Sequence, residues 1–437
     1  MVYRKLGYRL SLGIILLLIV VYSPALAATG SGPDTGLPDQ ILLSWTEDPA
    51  TTQTISWRSG AGNTREVVQY LPAADYDGSF TAAREVAGKG SPLYDGYFRW
   101  EATLRGLTPG TQYVYRVGRE GAWSEPAFFS TGSACDNFSF LFMGDVQGGY
   151  QEWGEMLAGV LAENPDLSFL LLGGDLVDQG HKIEEWEEFF AAAPEVFRRL
   201  PLLPALGNHD NPELFRKIFA LPQNGPAGYG ETIYSFDYGS CHITVLDSNS
   251  LGKPGTGDYE KIAAWLRQDL ARSQKAWKFV VCHHPPYQAV DNWRGEHLQA
   301  NWVPLLEEGG VDLVFAGDQH VYMRTKPLWE GKVRADGQGI VYIIGNAGDK
   351  HYGLGPEKDY IARAVAGVSS YQLVEIQGNT LTLTSRDAEG RVLDRCILVK
   401  EAQDQDSANG PASRAAVGFF FRRALLAPLS MFLQGWN

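Results

Sequence analysis

The sequence predicts two domains, an all-β sandwich followed by an α/β domain. Three observations lead there. Between Asp39 and Thr131, six strand-like runs are separated by turn signals, and no stretch carries a helical period. After Cys135 the pattern changes to apolar runs alternating with amphipathic segments, as in βαβ units. Five of those apolar runs end in Asp, Asn or His, four of them just after a glycine. At 437 residues the chain exceeds what one core usually supports, in keeping with two domains.

The chain opens with Arg4, Lys5 and Arg9 ahead of an apolar run from Leu10 to Tyr22, then Ala25-Leu26-Ala27 as a small-x-small cleavage site. Residues 1–27 therefore read as a signal peptide removed on export. An uncleaved anchor is the competing reading, but the run falls short of the roughly 17–25 residues of a membrane span. Residues 30–38 are rich in Gly and Pro and read as a linker. The formal net charge of −14 argues against nucleic acid as a partner, because Lys and Arg drive that binding. It leaves a small phosphorylated substrate open, since bound cations reverse the local field. Of the four cysteines, Cys241 and Cys282 lie in strand-like runs and read as inert core thiols. Cys135 and Cys396 sit at domain margins and could pair.

The first domain spans 38–132, with strands expected at 40–45, 53–58, 66–70, 98–104, 112–117 and 127–130. Turn signals include Ser59-Gly60-Ala61-Gly62-Asn63 and Thr108-Pro109-Gly110. The piece from Leu104 to Tyr113, with Tyr115-Arg116-Val117 after it, resembles the turn and following strand of a fibronectin type III-like domain. No cluster of ligand-type residues occurs here, and Trp45, Trp57, Tyr113 and Tyr115 read as core.

The second domain spans 136–400. Strands are expected at 138–143, 167–172, 201–206, 233–237, 242–247, 277–281 and 311–316. Helices are expected at 150–163, 183–192, from Pro212, at 258–272, and through Trp302 to Leu306. Residues 340–344, 372–376, 380–385 and 395–400 have hairpin character. The tail, 401–437, is polar at first and then apolar, with Arg422, Arg423 and Pro428 disfavouring a span; it either packs on the body or lies along a membrane surface.

The chemistry sits at the strand ends. Strand 138–143 ends in Gly144-Asp145-Val146-Gln147, the next in Gly173-Gly174-Asp175-Leu176-Val177-Asp178, and the third in Gly207-Asn208-His209-Asp210. Val280-Val281-Cys282 runs into His283-His284, and Val314-Phe315-Ala316 into Gly317-Asp318-Gln319-His320. In α/β sheets the carboxyl ends of strands are where ligands bind. Asn and Asp are also good helix N-caps, so one such turn means little. Five of them, converging on one sheet edge, point to a metal site, because carboxylate oxygen and imidazole nitrogen are the ligands of Zn, Fe and Mn. Glycine at these turns is expected to let the backbone come close to whatever is bound.

This order resembles the calcineurin-like metallophosphoesterases, and within them the purple acid phosphatases, over nearly all of the chain from Asp39 to Lys400. The family pattern is GDxG, GDxxY, GNH followed by Asp or Glu, VxxH, and GHxH. Asp145, Asp175, Asn208, His283 and His320 match it, and His209 matches the histidine that binds the substrate phosphate. The resemblance implies an α/β/β/α metallophosphoesterase sandwich behind a fibronectin type III-like sandwich. It also implies two metal ions, drawn from Fe, Mn and Zn, with Asp175 bridging them. Asp145 and His320 would complete the first shell, and Asn208 and His283 the second.

Three positions depart from the pattern. Gln147 stands where the purple enzymes have glycine and some relatives a histidine ligand. Asp178 replaces the tyrosine whose iron(III) phenolate gives the colour, so this protein is not expected to be purple. Asp318 replaces the first histidine of GHxH, and as a harder ligand it favours Mn or Fe over Zn. Gln147 could offer its amide oxygen to the first metal; alternatively both Gln147 and Asp318 face away.

The expected reaction is hydrolysis of a phosphate monoester by a metal-bound hydroxide, with His209 and then His297 as the groups that assist the leaving oxygen. His284 reads as a partner of a ligand or as inert; Asp210 either holds the tautomer of His209 or caps a helix. His181, His242 and His351 carry no motif and read as surface or structural. Competing readings are a phosphodiesterase or nucleotide hydrolase of the same fold, and a cell-surface binding protein that has lost turnover through Asp178 and Asp318. Specificity is expected in the loops at 287–297 and 350–358.

Overall fold

A computed structural model describes residues 36–401, except 61, 64, 134–135 and 251–256. The expected signal peptide, Cys135 and the tail beyond Glu401 lie outside the described residues. Among the described residues, no helix is long and apolar enough to cross a membrane.

The first domain is a β-sandwich. One sheet holds β1 (Asp39–Ser44), β2 (Thr52–Gly60), β6 (Tyr97–Arg105) and β5 (Lys89–Pro92) in that spatial order. The other holds β4 (Arg84–Ala87), β3 (Val67–Pro72), β7 (Gln112–Arg119), β8 (Ala122–Trp123) and β9 (Ala127–Ser130), the last two both pairing with β7. Leu43, Ile55, Trp57, Tyr70, Leu104, Tyr115 and Phe129 form its core. The Tyr113 hydroxyl accepts the N–H of Thr108 (2.9 Å) and pins the corner before β7. β4, β5 and β8 were not expected; β4 and β5 are short and mostly exposed, so no buried face patterns their sequence, and β8 is only two residues long.

Trp45 is fully buried, as expected, but in the seam between the domains, against Tyr238 (5.5 Å) and Phe169 (5.6 Å). Polar contacts lock the seam. Arg58 bridges Asp39 and Glu187, Tyr94 donates to Glu187 (3.0 Å), and the Tyr115 hydroxyl donates to the Arg198 carbonyl (2.8 Å).

The second domain stacks helix, sheet, sheet and helix. Its elements are β10 (Asn137–Met143), α1 (Tyr150–Glu163), β11 (Leu167–Leu172), α2 (Ile183–Ala192), α3 (Pro194–Phe197), β12 (Leu202–Pro204), α4 (Pro212–Ile218), β13 (Tyr234–Tyr238), β14 (Cys241–Leu246), α5 (Gly257–Arg272), β15 (Trp277–Cys282), α6 (Trp293–Asn301), α7 (Val303–Glu308), β16 (Leu313–Ala316), β17 (Tyr322–Thr325), β18 (Leu328–Trp329), β19 (Lys332–Val333), β20 (Val341–Ile344), β21 (Ile361–Val365), β22 (Ser370–Gln377), β23 (Thr380–Asp387) and β24 (Val392–Val399). One sheet runs β12-β11-β10-β22-β23-β24, the other β13-β14-β15-β16-β20-β17-β21. β10, β11 and β12 are parallel, as are β14, β15, β16 and β20.

Phe140 and Phe142 of the first sheet pack on Phe279 and Phe315 of the second at ring distances of 4.8–6.2 Å. Residues alternating with these, Val280, Val314 and Tyr342, face outward onto Ile262, Leu266, Leu298 and Leu306 of the helices. Both faces of these strands are buried, which is why they read as continuous apolar runs. The single helix expected through Trp302 is two helices, because Pro304 starts α7 afresh. β17 was not expected either: its Arg324 pairs with Asp394 (2.6 Å) inside the fold, so a buried strand carries a charge.

Candidate metal centre

The five strand-end turns do meet, but from two sheets rather than one edge. β10, β11 and β12 deliver Asp145, Asp175 and Asn208 from the first sheet; β15 and β16 deliver His283, Asp318 and His320 from the second. Asp145, Asp175, Asp318 and His320 all have positive φ (23°, 51°, 68° and 49°), a left-handed backbone that non-glycine residues rarely adopt. Strain of this kind persists where the surroundings over-determine it. The neighbouring glycines serve the turns rather than a ligand. A Cβ on Gly207 would strike the Asp175 amide at 2.0 Å, and one on Gly317 would strike the Asp145 carboxylate at 2.5 Å.

Two overlapping groups of ligand-type atoms result, Asp145–Asp175–His283 and His283–His284–Asp318, each with its atoms within 4.8 Å of one another. The hydrogen bonds fix the histidine tautomers. His283 Nδ1 donates to the Gly173 carbonyl (2.9 Å), so in the neutral ring it is Nε2 that carries the lone pair, directed at Asn208 Oδ1 (3.2 Å) and Asp175 Oδ2 (3.3 Å). His320 Nδ1 lies 3.2 Å from Asn346 Oδ1, and the Asn346 amide N–H groups are committed to the carbonyls of Gly348 and Lys350. His320 Nε2 is thereby left as an acceptor, and the Gln147 amide Nε2 donates to it (3.1 Å). Asp145 Oδ2 and Gln147 Oε1 are buried with no hydrogen-bond partner. Buried acceptors left unpaired are costly, and acceptors facing acceptors need a cation between them. The donor set therefore fits metal ions.

The electrostatics agree. Burial raises the Asp145 pKa well above the usual carboxylate value, with His283 opposing and Asp175 and Asp318 adding to it. Burial also opposes ionisation of Asp175, yet the facing His283 and the His209 amide hold it at about 2. His283 is disfavoured as a cation by burial but driven to about 10 by Asp175, Asp145 and Asp318. Burial, then His283 and Arg294, lower His284 to about 2; burial and Lys350 lower His320 to about 4. Three carboxylates thus crowd around His283, and the proton they draw onto its Nε2 stands where a metal ion would bind in exchange for it.

The centre opens into a cleft of about 670 Å³. His209 lines it, its amide donating to Asp175 Oδ1 (2.9 Å) and its Nδ1 to the Asp178 carbonyl (2.6 Å). The Asp178 side chain faces His209 (3.5 Å) and Lys350 (3.7 Å). Both expected loops contribute to the lining, through Val290, Asn292 and Arg294 and through His351 and Tyr352.

Several expectations need correction. His297 does not line the cleft; it sits one turn beyond Arg294 on α6, where Asn301 Nδ2 approaches its Nδ1 (3.3 Å). Asp210 neither holds the His209 ring nor caps a helix. Its carboxylate accepts from the amides of Leu176 and Gly207 (2.8 Å each), tying two turns together, while Asn211 caps α4. Burial and the neighbouring Asp175 raise Asp210 to about 7. His351, read as surface or structural, lines the cleft. Cys241, Cys282 and Cys396 are buried free thiols, and burial pushes Cys282 up to about 12. Two partners escaped notice although they follow the same grammar: Asn346 after β20 and Ser248 after β14. Arg294 and Tyr352 carry no sequence signal at all.

The sequence pattern described as calcineurin-like phosphoesterase matches residues 138–322, and that described as the purple acid phosphatase N-terminal domain matches residues 38–131. Purple acid phosphatase 18 of Arabidopsis thaliana is 25% identical over 369 residues, covering 77% of this chain and 79% of the relative. Acid phosphatase type 7 of Danio rerio is 25% identical over 422 residues, covering 85% and 93%. A purple acid phosphatase from yellow lupin (Lupinus luteus) seeds superposes with a TM-score of 0.70 at 17% identity, over 88% of this chain and 78% of that one, a likeness of fold.

Proposed function

Because this chain joins a purple acid phosphatase N-terminal domain to a calcineurin-like phosphoesterase domain and is thereby a metal-dependent phosphoester hydrolase, we propose that it is an exported enzyme hydrolysing phosphate monoesters at a binuclear centre. The observation that carries this reading is the pair of buried acceptors with nothing to accept from, Asp145 Oδ2 and Gln147 Oε1, beside His283 Nε2, which faces the oxygens of Asn208 and Asp175.

Asp145, Gln147, Asp175 and His320 would hold the first cation, and Asp175, Asn208, His283 and Asp318 the second. The pair, of Fe, Mn or Zn, supplies positive charge against the phosphoryl oxygens and makes water acidic enough to attack near neutral pH. The chain does the rest. His209 keeps its Nδ1 proton on the Asp178 carbonyl and turns Nε2 to the phosphate. Arg294 adds a fixed cation to the cleft and favours the more negative monoester over a diester. The attacking water gives up a proton to solvent as its oxygen bonds to phosphorus, the bond to the leaving oxygen breaks, and His209 passes a proton from Nε2 to that oxygen. Asp178, committed to His209 and Lys350, supplies no phenolate, so no purple colour is expected.

The test is hydrolysis of p-nitrophenyl phosphate against its bis(p-nitrophenyl) diester, with Mn, Fe and Zn supplied separately. Faster turnover of the diester overturns the monoester assignment. Export rests on residues 1–27, and recovery of activity from the medium tests it; fractionation with and without residues 415–437 tests membrane-surface contact.

A further inference from the structure

The binuclear reading leaves one histidine of the centre itself unused. His284 is fully buried, its ring 4.9 Å from that of His283. Its Nε2 lies 3.1 Å from Asn208 Oδ1 and 3.6 Å from Asp318 Oδ1. Thus Asn208 Oδ1 receives two ring nitrogens, from His283 and His284, at nearly equal distance. On the far side of the ring, Ser248 Oγ accepts the His284 amide N–H (2.9 Å) and lies 2.8 Å from Nδ1. Resting on this binuclear reading, we propose that His284 is itself a ligand of the second cation, replacing the imidazole that Asp318 removes from the family pattern.

The argument is one of donor type and position. With Nδ1–H donating to Ser248, Nε2 is a lone pair pointing at two oxygens that cannot donate to it. The second cation then has five donors, Asp175, Asn208, His283, His284 and Asp318, two of them imidazole nitrogens. The first has four, Asp145, Gln147, Asp175 and His320, with one imidazole. An imidazole moved from the strand end at β16 to the one at β15 thus restores a second nitrogen to the site, and Asp318 remains as an added carboxylate. In the opposing arrangement Ser248 donates to Nδ1, and His284 Nε2–H merely holds Asn208 in place as a positioning residue.

Metal analysis on purified protein distinguishes the two. Wild type is expected to carry two equivalents of Mn, and His284→Gln one, with the second bound more than about 100-fold more weakly in chelator competition. Loss of a partner outside the coordination sphere costs only about 10–100-fold, the effect expected for Ser248→Ala. Combining Asp318→His with His284→Gln is expected to restore the second equivalent. Retention of both equivalents at near wild-type affinity by His284→Gln overturns the proposal. If that variant does not fold, the wild-type Mn complex decides: diffraction must place His284 Nε2 within about 2.3 Å of a cation, the usual range for such bonds, and a distance beyond 3 Å sinks it. Wild type binding no metal at all defeats the binuclear reading itself, a separate result.

Discussion

Two buried histidine–carboxylate clusters sit at opposite ends of adjacent strands. His242 opens β14, and His283 follows β15. At the first, Nδ1 meets Asp237 (2.7 Å) and Nε2 meets Asp269 (3.0 Å), while Ser235 (2.6 Å) and Thr244 (2.8 Å) also donate to Asp269. Each of those contacts pairs a donor with an acceptor. At the second, Nε2 of His283 faces two acceptors, and two more buried acceptors nearby have no partner. The backbone differs as well: left-handed φ values occur at Asp145, Asp175, Asp318 and His320, and at none of His242, Asp237 or Asp269. The same residue types therefore build a closed structural cluster at one end and a site with unmet demand at the other. What separates them is unspent hydrogen-bonding capacity held in place by strain, and not the presence of His beside Asp.

The comparison breaks most easily at Asp175, which belongs to both proposed cages. Asp175→Asn keeps the shape and removes the shared charge. It is expected to lower kcat/KM by at least about 10³-fold, roughly 4 kcal/mol of transition-state stabilisation, with an unchanged circular dichroism spectrum. Unaltered hydrolysis would mean that the rim is another structural cluster. His209→Ala should follow, lowering kcat by about 10²-fold or more, the scale of a lost general acid, while leaving both metal equivalents bound. Loss of metal instead would recast His209 as part of the cage.

His242 sharpens the other side of the contrast. Burial disfavours its charged form, but its hydrogen bonds to the Asp237 and Asp269 carboxylates raise it from 6.5 to about 9. A histidine whose folded pKa lies above its unfolded value contributes stability in full below about pH 6.5. That contribution declines from there and is gone above about pH 9. Its size is at most roughly 3 kcal/mol. His242→Gln should lower the midpoint of urea unfolding at pH 6 and flatten the decline in stability between pH 6.5 and 9. Turnover of the folded enzyme should not change. A steep decline retained in the variant would show that other groups carry it.

Much of this was legible in the sequence, for a physical reason. Strands buried on both faces read as plain apolar runs, so β11, α1 and α2 fall at their expected bounds, and a polar group after such a run has few structural excuses. The same rule extends to Asn346 and Ser248, which stand at the ends of β20 and β14 and hold the rings of His320 and His284. Arg294, His351 and Tyr352 were not legible, because they reach the cleft from loops whose path is set by contacts distant in sequence. The Gln319 side-chain amide accepts the Val290 N–H (2.8 Å) and donates to the Val290 carbonyl (3.2 Å), and Lys358 holds the Gln288 carbonyl (2.8 Å). Nor does sequence say which of two sheets supplies a turn, and hence that one rim is shared by both.

His297 gives the smallest effect and the most direct check on that lesson. Its place on the loop after His283 makes it a candidate proton donor. On α6, however, it lies one turn past Arg294, and its ring is engaged by Asn301 on the following turn, outside the cleft lining. A proton donor must come within hydrogen-bond reach of the leaving oxygen, directly or through one water. His297→Ala is therefore expected to leave kcat/KM within about twofold, under 0.5 kcal/mol, with a stability change confined to the Asn301 contact. A loss approaching that of His209→Ala would require α6 to turn when substrate binds, and would place His297 at the rim after all.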